Sequence, residues 1–353
     1  MKVTNKLIQK ALRCYFSLKK MLDIRDLKKT TIFKLFDTLV VPVASYGCQV
    51  WLAETWFSKT SIDNAASNKL TTLAKDPLER LHLSFLKWTL GVHKKASNAT
   101  IWGDSGRHPL AVQLSKQVFS FYNRLSTLDT ENSNTIVRHA FCEQLSLNLT
   151  WYKNLTSIRE LAVQRALTPI SYPNQIRREL KAVFEENWNK ERIDNKKLSF
   201  YNTVKTNFDT ELHLSIKLGY TESKRLMQFR SSSHRYNIET GRYGGNKNAP
   251  TSRVCWNCST NDKDALELLC ELPTIKPIVE DEQHILSECS LYDDIRCKLK
   301  HTTKLVLKDG TDLKSLFVDP TTVRDLARFL RRCHDRRFPE ETEKKNNQLP
   351  KTK

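Results

Sequence analysis

The amino-acid sequence predicts a mostly α protein of several domains, with a small metal-organised module near the C-terminus and a disordered tail. Three observations carry this. Apolar residues recur at helical spacing through most of the chain. Strand-type alternation is scarce, and no internal repeat is present. Near the C-terminal third, Cys255-Trp256-Asn257-Cys258 is answered by His284 and Cys289, a C-x2-C followed by H-x4-C.

The elements follow in order. Leu7, Ile8, Ala11, Leu12, Tyr15, Phe16 and Leu18 form one apolar face, with lysines largely opposite. Ile32, Phe33, Leu35, Phe36, Leu39 and Val40 form a second, which Pro42 and Gly47 interrupt. Asp76-Pro77 opens a third helix, because Asp caps and Pro fits a first turn. Its face is Leu78, Leu81, Phe85, Leu86 and Trp88, and Gly91 closes it. Residues 92–108 read as loop, with Ser97-Asn98-Ala99, Gly103 and Gly106. Further helices are predicted over 110–126, 133–147, 150–168 and 174–191, and in part over 196–230, where Leu214, Leu218, Leu226 and Phe229 are anchors. A polar, glycine-bearing stretch, 231–250, leads to the cysteines. The last helix starts after Asp319-Pro320-Thr321 and runs through Val323, Leu326, Phe329, Leu330 and Cys333. Beyond Pro339 the charged, polar tail has too little apolar content to fold.

Composition narrows the function classes. A chain of 353 residues buries a genuine core. No run approaches the ~18–20 apolar residues of a membrane span, and the N-terminus lacks the apolar centre of a signal peptide. Clustered cysteines without a secretory signal argue for metal rather than disulfides and for an intracellular setting, nucleus or cytoplasm. Net charge is +19, and it is uneven. Lys2, Lys6, Lys10, Arg13, Lys19, Lys20, Arg25, Lys28, Lys29 and Lys34 crowd the first 35 residues, and Arg324, Arg328, Arg331, Arg332, Arg336 and Arg337 form a second cluster. Such a balance attracts polyanions, since each cation that meets a phosphate releases counterions. The stretch between the ligand pairs is instead acidic.

Three thiolates and one imidazole suit zinc, which takes four ligands tetrahedrally. Two intervening residues let a tight turn aim Cys255 and Cys258 at one point, and four let a helical turn or its end present His284 and Cys289. Four protein ligands leave no open position, so the expected ion is structural zinc. The spacing favours metal over scattered buried cysteines, although 25 residues separate Cys258 from His284. Cys270 and Cys297 are alternative ligands. Trp256, between the first cysteines, either stacks on an unpaired base or packs against the metal site. Thr240-Gly241-Arg242-Tyr243-Gly244-Gly245 offers backbone amides and Arg242 to a phosphate, or is a linker. Tyr292-Asp293-Asp294 reads as helix surface, because paired polymerase aspartates need a hairpin between hydrophobic strands. No phosphate loop, Ser–His–Asp set or H-E-x-x-H helix is present.

The order of these residues resembles the C-terminal part of LINE-type, non-LTR retrotransposon reverse transcriptases. The resemblance lies in Leu35-Phe36-Asp37 with Val41-Pro42, Tyr46-Gly47 and Trp51; in Glu79-Arg80-Leu81-His82 with Leu90-Gly91; and in Asn98 with Trp102-Gly103-Asp104-Ser105-Gly106-Arg107-His108-Pro109-Leu110. It continues in Phe229-Arg230, His234 and Ile238-Glu239-Thr240-Gly241-Arg242-Tyr243. It ends in Asp281-Glu282, His284, Cys289, Tyr292 and Arg296 around the family's zinc knuckle. The acidic insert departs from the family's compact knuckle.

The resemblance implies a thumb-like helical region over 1–128, a helical connector over 129–230, a zinc-knuckle module over 231–338 and a tail over 339–353. It also implies RNA or single-stranded DNA as partner, with Arg230, His234, Arg242, Tyr243 and Trp256 as contacts. The polymerase aspartates and endonuclease would lie upstream of Met1, so no enzymatic activity is expected. A domesticated protein-interaction or regulatory module, or a non-functional remnant, is the rival reading.

Overall fold

A computed structural model of the chain describes residues 2–23, 27–56, 73–127, 136–166, 172–242, 253–259, 278–303 and 313–339. The fold is mostly helical, and β-structure among the described residues is limited to two isolated bridges. The main helices are α1 (Lys2–Met21), α2 (Lys29–Leu39), α3 (Cys48–Thr55), α4 (Pro77–Leu90), α5 (Asn98–Ser105), α6 (Leu110–Ser126), α7 (Ile136–Ser146), α8 (Thr150–Ala166), α9 (Pro173–Asp194), α10 (Tyr220–Arg230), α11 (Glu282–Ser287), α12 (Asp293–Thr303) and α13 (Pro320–Arg337). They form two compact units. The first comprises residues 1–89, 101–194 and 208–210; the second comprises 90–100, 195–207 and 211–353. Residues 231–338, expected to form a module of their own, share their unit with 90–100, 195–207 and 211–230.

Local chemistry explains the helix ends. The Asp76 carboxylate accepts from the Leu78 amide at 2.9 Å, and Gly91, at φ 70°, stops α4 in the left-handed conformation. Asp319 accepts from the amides of Thr321 and Thr322, both at 2.9 Å, with Pro320 opening α13. Residues 92–108 are not all loop. Ala99, Ile101 and Trp102 are buried, and their packing holds α5 despite Gly103. Gly106, at φ 62°, ends that helix, and a Cβ there would lie 2.5 Å from the Thr210 nitrogen, so only glycine fits.

In the first unit, the α1 residues Ile8, Ala11, Tyr15 and Leu18 are buried, whereas Phe16, expected on the same face, is 58% exposed. Phe36 stacks on Phe85 at 3.9 Å, and Tyr15 meets Phe85 edge-on at 6.2 Å. Beneath them runs a buried polar chain. Glu79 accepts from the Trp102 indole and from His82 Nδ1 through one oxygen, and from the Leu110 amide through the other, each at 2.9 Å. Arg107 Nε donates to His82 Nε2 at 3.2 Å, which fixes the tautomer with its proton on Nδ1. The Arg107 guanidinium also binds Asp37 through both terminal nitrogens. Two sequence blocks therefore meet at the Glu79 carboxylate, and a third, at Asp37, joins them through Arg107.

The second unit has its own core. Phe200, Phe229 and Tyr236 pack with Ile285, Leu286, Tyr292 and Ile295, and with Leu316, Leu326 and Leu330. Cys255 and Cys289 belong to this core. Tyr292, expected at a helix surface, is fully buried in a short 3₁₀ turn, while Asp293 and Asp294 are exposed as expected.

Candidate metal centre

Each ligand pair is placed by its own local scaffold. An antiparallel bridge joins Val254 to Val279, and the Cys255 amide donates to the Ile278 carbonyl at 2.8 Å. The chain then turns, with the amides of Cys258 and Ser259 returning to the Cys255 carbonyl at 3.2 and 2.9 Å. This turn brings both sulfurs to one side. Asp281 caps α11 by accepting from the His284 amide at 2.8 Å. The Cys289 amide closes back on the His284 carbonyl at 2.8 Å, so His284 in the helix and Cys289 just beyond it converge. Arg296, buried in α12, donates to the carbonyls of Leu286 and Cys289 at 2.8 and 2.9 Å and satisfies groups that the helix end leaves open.

The outcome is a Cys3His cluster of Cys255, Cys258, His284 and Cys289, whose ligand atoms all lie within 4.8 Å of one another. The Cys289 sulfur is 3.8 Å from that of Cys255 and 3.7 Å from that of Cys258. A tetrahedral ion with metal–sulfur bonds of about 2.3 Å requires sulfurs about 3.8 Å apart. His284 Nδ1 is engaged by Glu288 at 3.2 Å, whereas its buried Nε2 has no hydrogen-bond partner. A carboxylate on one ring nitrogen with the other left for an ion is how metal-binding histidines are oriented. The cluster can bind a metal ion, and its donors are compatible with zinc. Cys297 is exposed and outside the cluster, and Cys270 lies outside the described residues.

The electrostatics point the same way. The hydrogen bond from Cys289 pulls the Cys255 thiol down to about 4 against the opposing effect of burial. The same bond, with burial, pushes the Cys289 thiol up. Burial disfavours charge on His284, yet the Cys255 sulfur and Glu288 raise it to about 9. At pH 7 the metal-free cluster thus holds protons on His284 and Cys289, and Cys255 is a thiolate. Metal binding needs a neutral imidazole and thiolates, so it must expel at least these two protons. Zinc affinity should therefore rise about a hundredfold per pH unit near neutrality. Zinc titration in buffers of different ionisation enthalpy checks this; an affinity independent of pH would contradict the protonation pattern.

Compared with family models, curated proteins and solved structures, the chain matches none. The residues expected to contact nucleic acid occupy different environments. Arg230 is fully buried, bound to Glu211 at 3.1 Å and stacked over Phe317 at 4.4 Å, so no phosphate reaches it in this fold. His234 is likewise interior, its Nε2 bonded to Glu282 at 3.0 Å. Arg230 thus belongs to the core, whereas His234, 9% exposed, also lines a cleft of the same unit. Arg242 is half-buried and spends Nε on the Ile238 carbonyl and Glu239. Tyr243 lies outside the described residues, as do Gly244 and Gly245. Trp256 is 43% exposed, with the Arg337 guanidinium 5.8 Å from its ring.

The sequence placed Glu282 and Arg296 in the knuckle block without a contact for either, and assigned no role to Glu280. Glu280 accepts from the Asn237 amide and from Arg337 Nε, and Glu282 accepts from the Ser232 hydroxyl as well as from His234. Acidic residues directly preceding a ligand histidine were the available signal.

Proposed function

We propose that this chain is a nucleic-acid-binding protein of the kind found at the C-terminal end of LINE-type, non-LTR retrotransposon reverse transcriptases. In this reading the Cys3His cluster holds a structural zinc, and the chain has no polymerase chemistry of its own. The observation that carries the reading is the outer face of α1. Lys6, Lys10, Arg13 and Lys20 lie three, four or seven residues apart on the face opposite Ile8, Ala11, Tyr15 and Leu18. All four are exposed, and none has an ion-pair partner among the described residues. At a rise of about 1.5 Å per residue the row is about 20 Å long, enough to follow several phosphates. Solvent-facing cations left unneutralised are what a polyanion uses. In α13, by contrast, Arg328, Arg331, Arg336 and Arg337 are each paired with a carboxylate.

Single-stranded RNA should bind with an affinity that falls steeply with salt, the slope growing by about 0.7 for each phosphate that the protein neutralises. Lys10→Glu with Arg13→Glu should flatten the slope by about 1.5 and leave the melting temperature nearly unchanged. Failure of the folded, zinc-loaded protein to bind RNA at low salt would refute the reading. Primer extension on an RNA template with magnesium should stay at background.

A protein-interaction role is favoured by one observation in the first unit. A cleft of about 320 Å³ is lined by Val50, Phe121, Leu125, Val137 and Trp151, and Ile136 at its rim is 87% exposed.

A further inference from the structure

We propose that Arg235, Phe338, Arg337 and Trp256 form a stacking track for the unpaired bases of a single-stranded nucleic acid. The proposal rests on the nucleic-acid reading above and specifies which part of the strand this surface holds. The four side chains alternate cation and ring. The Arg235 guanidinium lies 5.5 Å from the Phe338 ring, and the Arg337 guanidinium lies 5.9 Å from that same ring and 5.8 Å from the ring of Trp256. Trp256 and Arg235 are exposed at the two ends, with Phe338 and Arg337 half-buried between them.

The track is held rigidly. Arg337 Nε is bonded to Glu280 at 3.0 Å, and Glu280 is itself fixed by the Asn237 amide at 2.8 Å. Phe338 packs on His334 at 4.9 Å and Tyr236 at 6.0 Å. Trp256 sits between two residues of the Cys3His cluster, so metal binding would fix its backbone. Preorganised flat faces stack on bases without a large ordering cost, and each base has a π-face whatever its sequence. Bases in a duplex are already stacked on one another, so the track selects single strands.

The Arg235 end adds the phosphate chemistry. Arg235 also lines a cleft of about 380 Å³ with His93, Lys95, Lys197, His234 and Glu239. Lys197 is neutralised by Glu239 at 2.7 Å, while Lys95 is exposed with no ion pair among the described residues. A strand with bases on the track would place its phosphates toward Lys95 and Arg235.

The test compares oligouridylate with an abasic ribose-phosphate oligomer of equal length, at several salt concentrations, using the zinc-loaded full chain. The wild type should prefer the base-bearing strand by about tenfold or more. That preference should collapse in Trp256→Ala and in Phe338→Leu, while the salt slope stays unchanged. Phe338→Leu lies outside the cysteine turns and keeps the test decisive if Trp256→Ala loses zinc. Equal binding of the two oligomers by the wild type, or a preference that survives both substitutions, overturns the track but leaves the nucleic-acid reading standing. Binding of neither oligomer removes both.

Discussion

Cys289→Ser, or removal of zinc by a chelator, should lower the stability of the second unit by about 4 kcal/mol when the wild type is held at a thousandfold excess of free zinc over its Kd. The size follows from where the ligands sit. Cys255, His284 and Cys289 are each at most 3% exposed, and the two cysteines pack with Tyr292, Ile285 and Leu286 in the core of the unit. Without an ion, this core retains the Cys255 thiolate and the His284 proton in buried positions, a pair whose desolvation offsets much of its attraction. With an ion, three sulfurs and a nitrogen are satisfied together. Metal content measured on purified protein should fall from about one ion per chain to none in Cys289→Ser, and the melting transition of the unit should move down with it. Cys297→Ser should retain both the ion and the transition, because Cys297 is exposed and outside the cluster. Full metal content in Cys289→Ser would sink the four-ligand assignment.

The two units solve a similar problem with different chemistry. Each brings together residues from distant parts of the chain. In the second unit four ligand atoms converge, and buried carboxylates frame them: Glu280 ties Asn237 to Arg337, and Glu282 ties Ser232 to His234. In the first unit a single carboxylate, Glu79, gathers the donors. This division explains why many polar residues that the sequence marks as distinctive are interior. Arg230 is one of them: it shares Glu211 with Lys205 and contributes to the core instead of to a surface.

The helices were legible where capping and periodicity agree. Asp76-Pro77 with Gly91 bounds α4, Asp319-Pro320 opens α13, and α6 runs over the predicted 110–126. The four ligands were legible because C-x2-C and H-x4-C encode short turns whose geometry is local. Two things were not. Glycines at 103 and 106 read as loop, yet burial of Trp102 and its indole bond to Glu79 outweigh the roughly 1 kcal/mol helix penalty of Gly103. Burial of arginine and histidine was also invisible, since a basic residue in a basic chain reads as surface until its buried carboxylate partner is placed beside it. Arg230 needed Glu211, and His234 needed Glu282, 48 residues away. The row of cations on α1 was legible as the side opposite the apolar residues, and the burial of Tyr15 and Leu18 agrees with it.

Glu79→Ala should cost the first unit about 3–5 kcal/mol, the range for removing one partner from a buried charged network. Glu79 is 3% exposed, and its two oxygens accept from the Trp102 indole, His82 Nδ1 and the Leu110 amide. Deleting the carboxylate removes the acceptor of three donors at a buried site, and each unsatisfied buried group costs about 1–3 kcal/mol. His82 would have a further difficulty. Arg107 Nε points at its Nε2, so the ring cannot move its proton there to relieve Nδ1 without facing donor to donor. The loss should spread along the chain to the Arg107–Asp37 pair, because Arg107 is held from both sides. Glu79→Gln separates shape from charge: it preserves the volume and one acceptor oxygen, but presents an amide NH2 to a donor. It should therefore recover only a minority of the lost stability. Thermal unfolding followed by tryptophan fluorescence measures both variants, with a drop in melting temperature of about 10 °C expected for Glu79→Ala. Asp37→Asn provides the surface comparison; Asp37 is exposed, so its pairing with Arg107 should be worth at most about 1 kcal/mol. If Glu79→Ala proved no more costly than Asp37→Asn, the carboxylate would not be the hub of the first unit, and the aromatic packing of Phe33 and Phe36 on Phe85 would instead hold α2 against α4.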